Sequence, residues 1–180
     1  MRWFTLRRFW LVVCLLCPLL ASARDHDELD ARVREAVHEL YRTSPTAREL
    51  GAKARGMLVF PRVFKAGYGI GGEYGEGVLL TDGRTIDYYN IASASVGLQL
   101  GIQRKSVVVL FMTDDALRHF RDSEGWKVGV DTSVAVVTVG IGGEIDTDTL
   151  QKPVIGFLFS NKGLMYNLTL EGSKISRMAR

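Results

Sequence analysis

The sequence predicts an α+β fold in which N-terminal helices pack on a Gly-rich, strongly curved antiparallel sheet or barrel with one inserted helix. Three observations lead to this prediction. Apolar residues before residue 56 recur at the three- and four-residue spacing of a helix. From Met57 onward, short apolar runs alternate with turn residues instead. The predicted strands do not alternate regularly with helices, which argues against a parallel, doubly wound sheet.

Residues 1–23 have the pattern of a secretory signal peptide. A positively charged start precedes the apolar run Phe9–Leu20, and the small-residue cleavage signal Ala21-Ser22-Ala23 follows it. The run of about twelve residues is shorter than the roughly twenty that a membrane-spanning helix needs, so a retained anchor is the weaker alternative. We therefore expect an exported protein of the periplasm or cell envelope, with a single domain over 24–180.

The composition of residues 24–180 disfavours several function classes. The export signal holds three of the 23 Lys and Arg residues and none of the 20 acidic ones, which leaves 20 of each sign and a formally neutral chain. No overall basic field remains to attract nucleic acid. Both cysteines, Cys14 and Cys17, also lie in the signal, so a disulfide, a thiolate nucleophile and a zinc–thiolate site are not expected.

Helical structure is expected before the sheet, over residues 27–55. Ser44-Pro45 has the pattern of a helix start, because a capping hydroxyl is followed by proline at the first helical position. A second short helix should therefore run to Arg55 and end at Gly56. The first helix is predicted by an apolar stripe that comprises Leu29, Val33, Ala36, Val37, Leu40 and Tyr41.

From Met57 onward the pattern predicts short strands joined by turns. Asp82-Gly83 is a strong hairpin signal because both residues tolerate positive φ. Asn161-Lys162-Gly163 predicts a second hairpin, whose outgoing strand over 164–171 alternates between apolar and polar residues. One helix interrupts the strands after Thr113, whose hydroxyl suits its N-cap.

Glycines fall on single faces of the predicted strands, where the lack of side chains has a positional meaning. Two interpretations remain open: the glycines permit tight curvature or close helix packing, or a ligand approaches bare backbone there. Trp126 is expected to fill the core and not to lie at an interface. The glycine faces are formed by Gly67, Gly69 and Gly71, by Gly97 and Gly101, and by Gly140 and Gly142.

The chain carries no convincing catalytic, nucleotide or metal motif. Residues 67–72 match G-x-G-x-x-G, but two glycines and two acids follow where a pyrophosphate site needs a helix. Glu144, Asp146 and Asp148 lack the spacing of a calcium loop, so a solvated acidic edge is the better interpretation. The histidines lack the spacing of a triad or zinc site. We therefore expect no enzyme, nucleotide, cofactor or metal.

Several motifs, in order, resemble one known family. The longest is the run LVFPRVFKAG at Leu58–Gly67, and Gly69–Gly77, Gly125–Gly129, Gly156–Leu164 and Leu170–Ser173 follow it. On these residues the chain resembles the SYLF domain family over roughly residues 30–178. That family includes exported bacterial proteins and eukaryotic phosphoinositide-binding, actin-patch-associated proteins.

The resemblance implies lipid binding without catalysis. Eukaryotic members are regarded as modules that recognise phosphoinositides through an amphipathic N-terminal helix and basic residues, and some engage actin or its regulators. This chain departs from that pattern, because residues 24–56 carry seven basic and seven acidic residues instead of a basic face. What carries over is affinity for an anionic phospholipid headgroup or membrane surface in the envelope.

The headgroup ligands expected from this resemblance are six cations: Arg62, Lys65, Arg104, Lys105, Lys162 and Lys174. Arg62 and Lys65 lie in the motif F-P-R-x-x-K-A-G, Lys162 at a predicted exposed turn, and Arg104-Lys105 between predicted strands. The alternative for each is an ordinary surface cation. The rival function is a protein-interaction or scaffold domain, which salt-sensitive binding to anionic vesicles would separate from a lipid module.

Overall fold

A computed structural model describes residues 25–128, 134–140, 147–163 and 172–178. The predicted signal peptide and the predicted strand at 164–171 lie outside these residues. Two helices come first, two very long strands follow, and shorter elements complete the described chain. In order these are α1 (25–43), α2 (Pro45–Lys53), β1 (Gly56–Thr81), β2 (Arg84–Phe111), α3 (Asp114–Asp122), β3 (Trp126–Lys127), β4 (Val134–Thr138), α4 (Thr147–Leu150), β5 (Val154–Gly163) and β6 (Lys174–Arg177).

The helix boundaries follow local capping chemistry. Ser44 separates α1 from α2, and its hydroxyl accepts a hydrogen bond from the Ala47 N–H at 3.2 Å, as the Ser-Pro pattern predicts. Thr113 caps α3 in the same way, accepting from the Ala116 N–H. Within the described residues, no helix combines the length and the apolar character needed to cross a bilayer.

The two longest strands form one antiparallel hairpin. β1 has 26 residues and β2 has 28, and they turn at Asp82 and Gly83, whose φ angles of 52° and 71° confirm the predicted hairpin. The expectation of short strands in this region is wrong. Glycines that suggest breaks in the sequence lie inside continuous strands, where they bend the chain without ending it.

The sheet confirms the α+β class, with one difference in strand direction. The strand order is β3-β6-β2-β5-β4, and β1 also pairs with β2. Among the described pairs, only β4 and β5 run parallel, where an antiparallel sheet is expected from the sequence. The segment 139–153, which contains α4, joins them and is long enough for the crossover of a dozen or so residues that a parallel pair requires.

β1 curls until it packs against itself. A Cβ added to Gly77 would lie 2.5 Å from the carbonyl oxygen of Val59, and one added to Gly75 would lie 2.8 Å from that of Arg62. Both contacts join residues far apart within one strand. Glycine at these two positions is therefore required for tight curvature.

The curl gives β1 and β2 an inner and an outer face. Burial alternates along β1, so Val63, Lys65, Gly71, Glu73 and Gly75 are buried or line the inside, whereas the outward-facing residues are exposed. The outer face is formed by Arg62, Phe64, Ala66, Ile70, Gly72, Tyr74 and Glu76.

Two hydrophobic clusters hold the layers together. The apolar stripe of α1 packs on Val59, Val108 and Ile155 of the sheet. On the other side, Trp126 is buried and packs edge-on against Phe120, with 5.5 Å between ring centroids, which confirms that it fills the core.

Candidate functional site

Three of the six predicted cations lie around one pocket. Arg62 of β1, Arg104 of β2 and Lys162 of β5 line it together with Arg32 of α1. Arg104 and Lys162 are directly opposite each other in the β2–β5 register, so their side chains project from the same side of the sheet. The sheet thus brings together residues that are distant in sequence.

Two β-bulges place these cations. Between Phe60 and Val63, β1 has two residues where β2 has only Ser106, and between Phe159 and Lys162, β5 has two residues opposite Lys105. The Ser106 hydroxyl donates to the Pro61 carbonyl at 2.9 Å and secures the first bulge. A bulge changes the direction of the side chains that follow it. The two bulges lie in the strands on either side of β2, next to the pocket.

The second bulge is tied to α1. Ser160 has a φ of 56°, an uncommon value for a residue other than glycine. Its hydroxyl donates to the Glu39 carboxylate at 2.5 Å. This hydrogen bond joins the helix to the strand that carries Lys162.

The pocket is polar, positive and small. Its volume is about 150 Å³, and Glu35 and Glu39 of α1 also line it. Four cations against two carboxylates give a formal charge of +2. Arginine guanidinium groups match phosphate and carboxylate oxygens with paired hydrogen bonds, so this arrangement suits an anionic group.

A second, more apolar pocket of about 220 Å³ adjoins the first. Arg32, Pro61 and Arg62 line both pockets, and the second pocket is also lined by Leu29, Phe64, Tyr74, Gly75 and Glu76. The two together form a groove along the seam between α1 and β1, which we call the seam groove. One end of it is cationic and the other is apolar.

Large apolar side chains are exposed on the outer face beside the groove. Ile70 is 72% exposed and Ile102 is 71% exposed, and about half of Phe64 and of Tyr74 is accessible. Ile102 is opposite Ala66 and Arg104 is opposite Phe64, so all of these residues lie on one face. Exposed apolar residues concentrated beside cations mark an interaction surface.

The other three predicted cations, Lys65, Lys105 and Lys174, do not line the pocket. Arg104 and Lys105 lie inside β2, not between strands, so they point to opposite faces and Lys105 is buried inside. Lys65 is also buried on the inner face. Lys174 lies in β6, opposite Ala92 and Lys127.

The predicted turn at Asn161-Lys162-Gly163 is wrong as well. These residues continue β5, and Lys162 is exposed on the strand, not at a turn. The bulge at Ser160 provides the bend that the turn-forming composition suggests.

A buried ion pair closes the inside of the curl. Lys105 Nζ lies 3.0 Å from Glu73 Oε2, and both side chains are at most 3% exposed. Glu73 Oε1 has no hydrogen-bond partner among the described residues. Lys105 of β2 is opposite Val63 of β1, whereas Glu73 lies ten residues further along β1. The ion pair therefore links two distant parts of the hairpin across the inside of the curl.

Burial lowers the pKa of Lys105 below its ordinary value; the charge of Glu73 and its hydrogen bond raise it in part, and the charge of Lys65 lowers it. We expect Lys105 to lose its proton at a pH below the ordinary pKa of a lysine side chain, in an NMR titration of ¹³C-labelled lysine side chains. Lys105 holds its proton more tightly in the unfolded chain than in the folded protein. The contribution of Lys105 to the free energy of unfolding therefore rises with pH between the lowered pKa and 10.5.

The substitution Glu73→Gln is the control for this titration. It removes the negative charge that raises the pKa of Lys105, so the pKa should fall further. A Lys105 resonance that titrates at the ordinary lysine pKa of 10.5 would contradict a desolvated ammonium group.

Sequence reasoning missed Arg32 and the exposed apolar residues. Arg32 lies on the densely charged side of α1, where nothing in the periodicity separates a pocket residue from a solvated one. Phe64 and Ile70 alternate with small or buried residues, and this alternation could have indicated that they lie on an exposed strand face. Among the described residues, no group of three or more His, Cys, Asp and Glu side chains is arranged to hold a metal ion. Glu144 and Asp146 lie outside them.

Two comparisons relate the chain to known proteins. A family model described as "Ysc84: Las17-binding protein actin regulator" matches residues 92–179. The chain is also 28% identical over 127 residues to the bovine (Bos taurus) SH3 domain-containing YSC84-like protein 1, a match that covers 68% of this chain and 37% of that protein. They confirm the resemblance to the SYLF (Ysc84) family that the sequence motifs indicate.

Proposed function

We propose that this protein is an exported, non-enzymatic module that binds anionic lipid surfaces in the bacterial envelope. The observation that carries the proposal is the contact between a cationic pocket and an exposed apolar face. Arg62 lines the cationic pocket, and Phe64, two residues further along the outer face of β1, belongs to the exposed apolar face. In this proposal residues 1–23 are the export signal, and the protein acts in the periplasm or at a membrane.

The positive charge that would attract an anionic membrane is concentrated at the pocket. The chain from residue 24 is formally neutral, yet the pocket has a formal charge of +2. Each cation near an anionic membrane surface contributes on the order of 1 kcal/mol, and this attraction weakens as salt screens it. Binding that depends on lipid charge therefore needs the pocket cations to act together.

The apolar part follows from the position of Ile70 and Ile102. Side chains that protrude beside cations insert at the boundary between headgroups and acyl chains, as amphipathic helices do. In this protein a sheet face takes that role. The apolar stripe of α1 is buried against the sheet, including Leu29, Val33 and Leu40, so the helix as folded does not offer it to a membrane.

The first test is co-sedimentation with phospholipid vesicles. The protein should bind vesicles containing phosphatidylglycerol more tightly than pure phosphatidylcholine vesicles, and the difference should shrink at high salt. The variant Arg62→Glu, Arg104→Glu, Lys162→Glu should bind anionic vesicles about 100-fold more weakly, because three contacts of about 1 kcal/mol are lost.

The matched control reverses three exposed cations outside the pocket, Arg42, Lys53 and Lys174. It has the same net charge as the test variant, so a general charge effect would weaken both equally. Equal weakening, or no vesicle binding under any condition, would refute the proposal.

A protein partner is the alternative from a different class. The description of the family model names Las17 binding and actin regulation, and the relative carries an SH3 domain in its name. In an exported protein, the corresponding role would be that of a scaffold that binds another protein of the envelope. Absence of vesicle binding would favour that alternative and direct the search to affinity capture with the pocket variant as control.

A further inference from the structure

We propose that the seam groove binds one molecule of a single-chain anionic amphiphile, with its phosphate or carboxylate in the cationic half and its chain in the apolar half. This inference rests on the cation pocket of the proposed function. It goes further, because it requires a ligand to enter the protein one molecule at a time and not only a membrane to touch its surface.

The two halves of the groove are adjacent. Arg32, Pro61 and Arg62 line both of them, so a ligand that passes these three residues would contact both halves. α1 forms one side along the whole length, with Leu29 at the apolar end and Glu39 at the cationic end. A ligand that spans both halves must be polar at one end and apolar at the other.

The head of the ligand is specified by charge and size. Three arginines and one lysine face two glutamates, and the volume of about 150 Å³ suits a single small anionic group. Arg62 and Arg104 offer guanidinium forks for paired oxygen atoms. Glu35 and Glu39 disfavour a ligand head with more than one anionic group, because the further negative charge would lie beside these two carboxylates.

The chain of the ligand is specified by the walls of the other half. Leu29, Phe64 and Tyr74 provide apolar surface, and Gly75 and Glu76 also line this half. The volume is about 220 Å³, larger than that of the cationic half. A short alkyl chain gains free energy there by leaving water, in proportion to the apolar area it buries.

The groove is separate from the protruding apolar residues. Among the residues that the structure describes, Ile70 and Ile102 are the most exposed large apolar side chains, yet neither lines the groove. Substitutions can therefore separate surface contact with a bilayer from uptake of one molecule.

The test is isothermal titration calorimetry with inorganic phosphate and with butyl, hexyl and octyl phosphate, all kept below concentrations that form micelles. We expect the affinity to rise about twofold to fourfold per added methylene, since each buried methylene contributes up to about that factor. Octyl glucoside, which has the chain without the charge, should bind at least about 100-fold more weakly than octyl phosphate, because the cation contacts are missing.

Two variants locate the chain. Phe64→Ser removes a wall of the apolar half and should flatten the dependence on chain length. Ile70→Ser, on the same sheet face but outside the groove, is the matched control and should leave that dependence unchanged while weakening vesicle binding.

The outcomes separate this inference from the proposed function. Equal affinities for inorganic phosphate and octyl phosphate, or for octyl glucoside and octyl phosphate, would overturn the inference. Charge-dependent vesicle binding would survive either result. Chain-dependent binding of alkyl phosphates without vesicle binding would instead support the groove and refute the membrane proposal.

Discussion

Replacing Lys105 by methionine should lower the free energy of unfolding by about 3–5 kcal/mol, the largest effect that we expect from a single substitution. The reason is the buried ion pair with Glu73, whose two side chains are at most 3% exposed and whose charged atoms lie 3.0 Å apart. Without Lys105, the Glu73 carboxylate stays in the interior with neither its salt bridge nor water. Urea denaturation followed by circular dichroism measures the change.

The double variant Lys105→Met, Glu73→Met is the control. A buried ion pair replaced as a whole by apolar residues costs little and sometimes stabilises, since no unpaired charge remains. We therefore expect the second substitution to restore most of the lost stability. If Lys105→Met alone costs less than about 1 kcal/mol, the pair is solvated and does not fasten the curl.

The second large effect concerns the place where β1 folds over itself. Gly77→Ala should lower the free energy of unfolding by about 3 kcal/mol, at the upper end of the cost of overpacking. The added methyl group would lie 2.5 Å from the Val59 carbonyl oxygen, which belongs to a paired strand and has little freedom to move. Thermal and urea unfolding of the variant measure this loss.

Gly72→Ala is the matched control for this prediction. Gly72 lies in the same strand on the outer face, and the nearest atom to an added methyl group is the Ser93 carbonyl oxygen at 3.8 Å. Alanine there meets no steric conflict and restricts the unfolded chain, so the stability should be unchanged or rise by up to about 1 kcal/mol. Equal losses in both variants would show that β1 does not need glycine for its curl.

The two stability predictions also bear on the seam groove. Gly75, which lines its apolar half, is one of the two glycines where β1 packs on itself. The curl that these glycines permit brings Tyr74 and Glu76 near Arg62 and Phe64, which are distant along the same strand. Loss of the curl should therefore reduce ligand binding as well as stability.

Three of the four cations that line the pocket could be recognised from the sequence. Arg62 and Lys162 lie in family motifs, and Arg104 is one of an adjacent pair. The sequence does not distinguish Arg104 from Lys105, because their division between two faces depends on whether they lie in a strand or a loop. Arg32 was missed, because its role depends on the packing of α1 beside two bulges.

The sequence by itself determined the α+β class, the caps at Ser44 and Thr113, the hairpin at Asp82-Gly83 and the burial of Trp126. These features depend on backbone preferences and hydrogen bonds within a few residues, or on the strong tendency of a large apolar side chain to be buried. Only the tertiary structure decided the length of β1 and β2, the parallel pairing of β4 with β5 and the ion pair inside the curl. Each of these depends on contacts between distant residues, whose register no local pattern specifies.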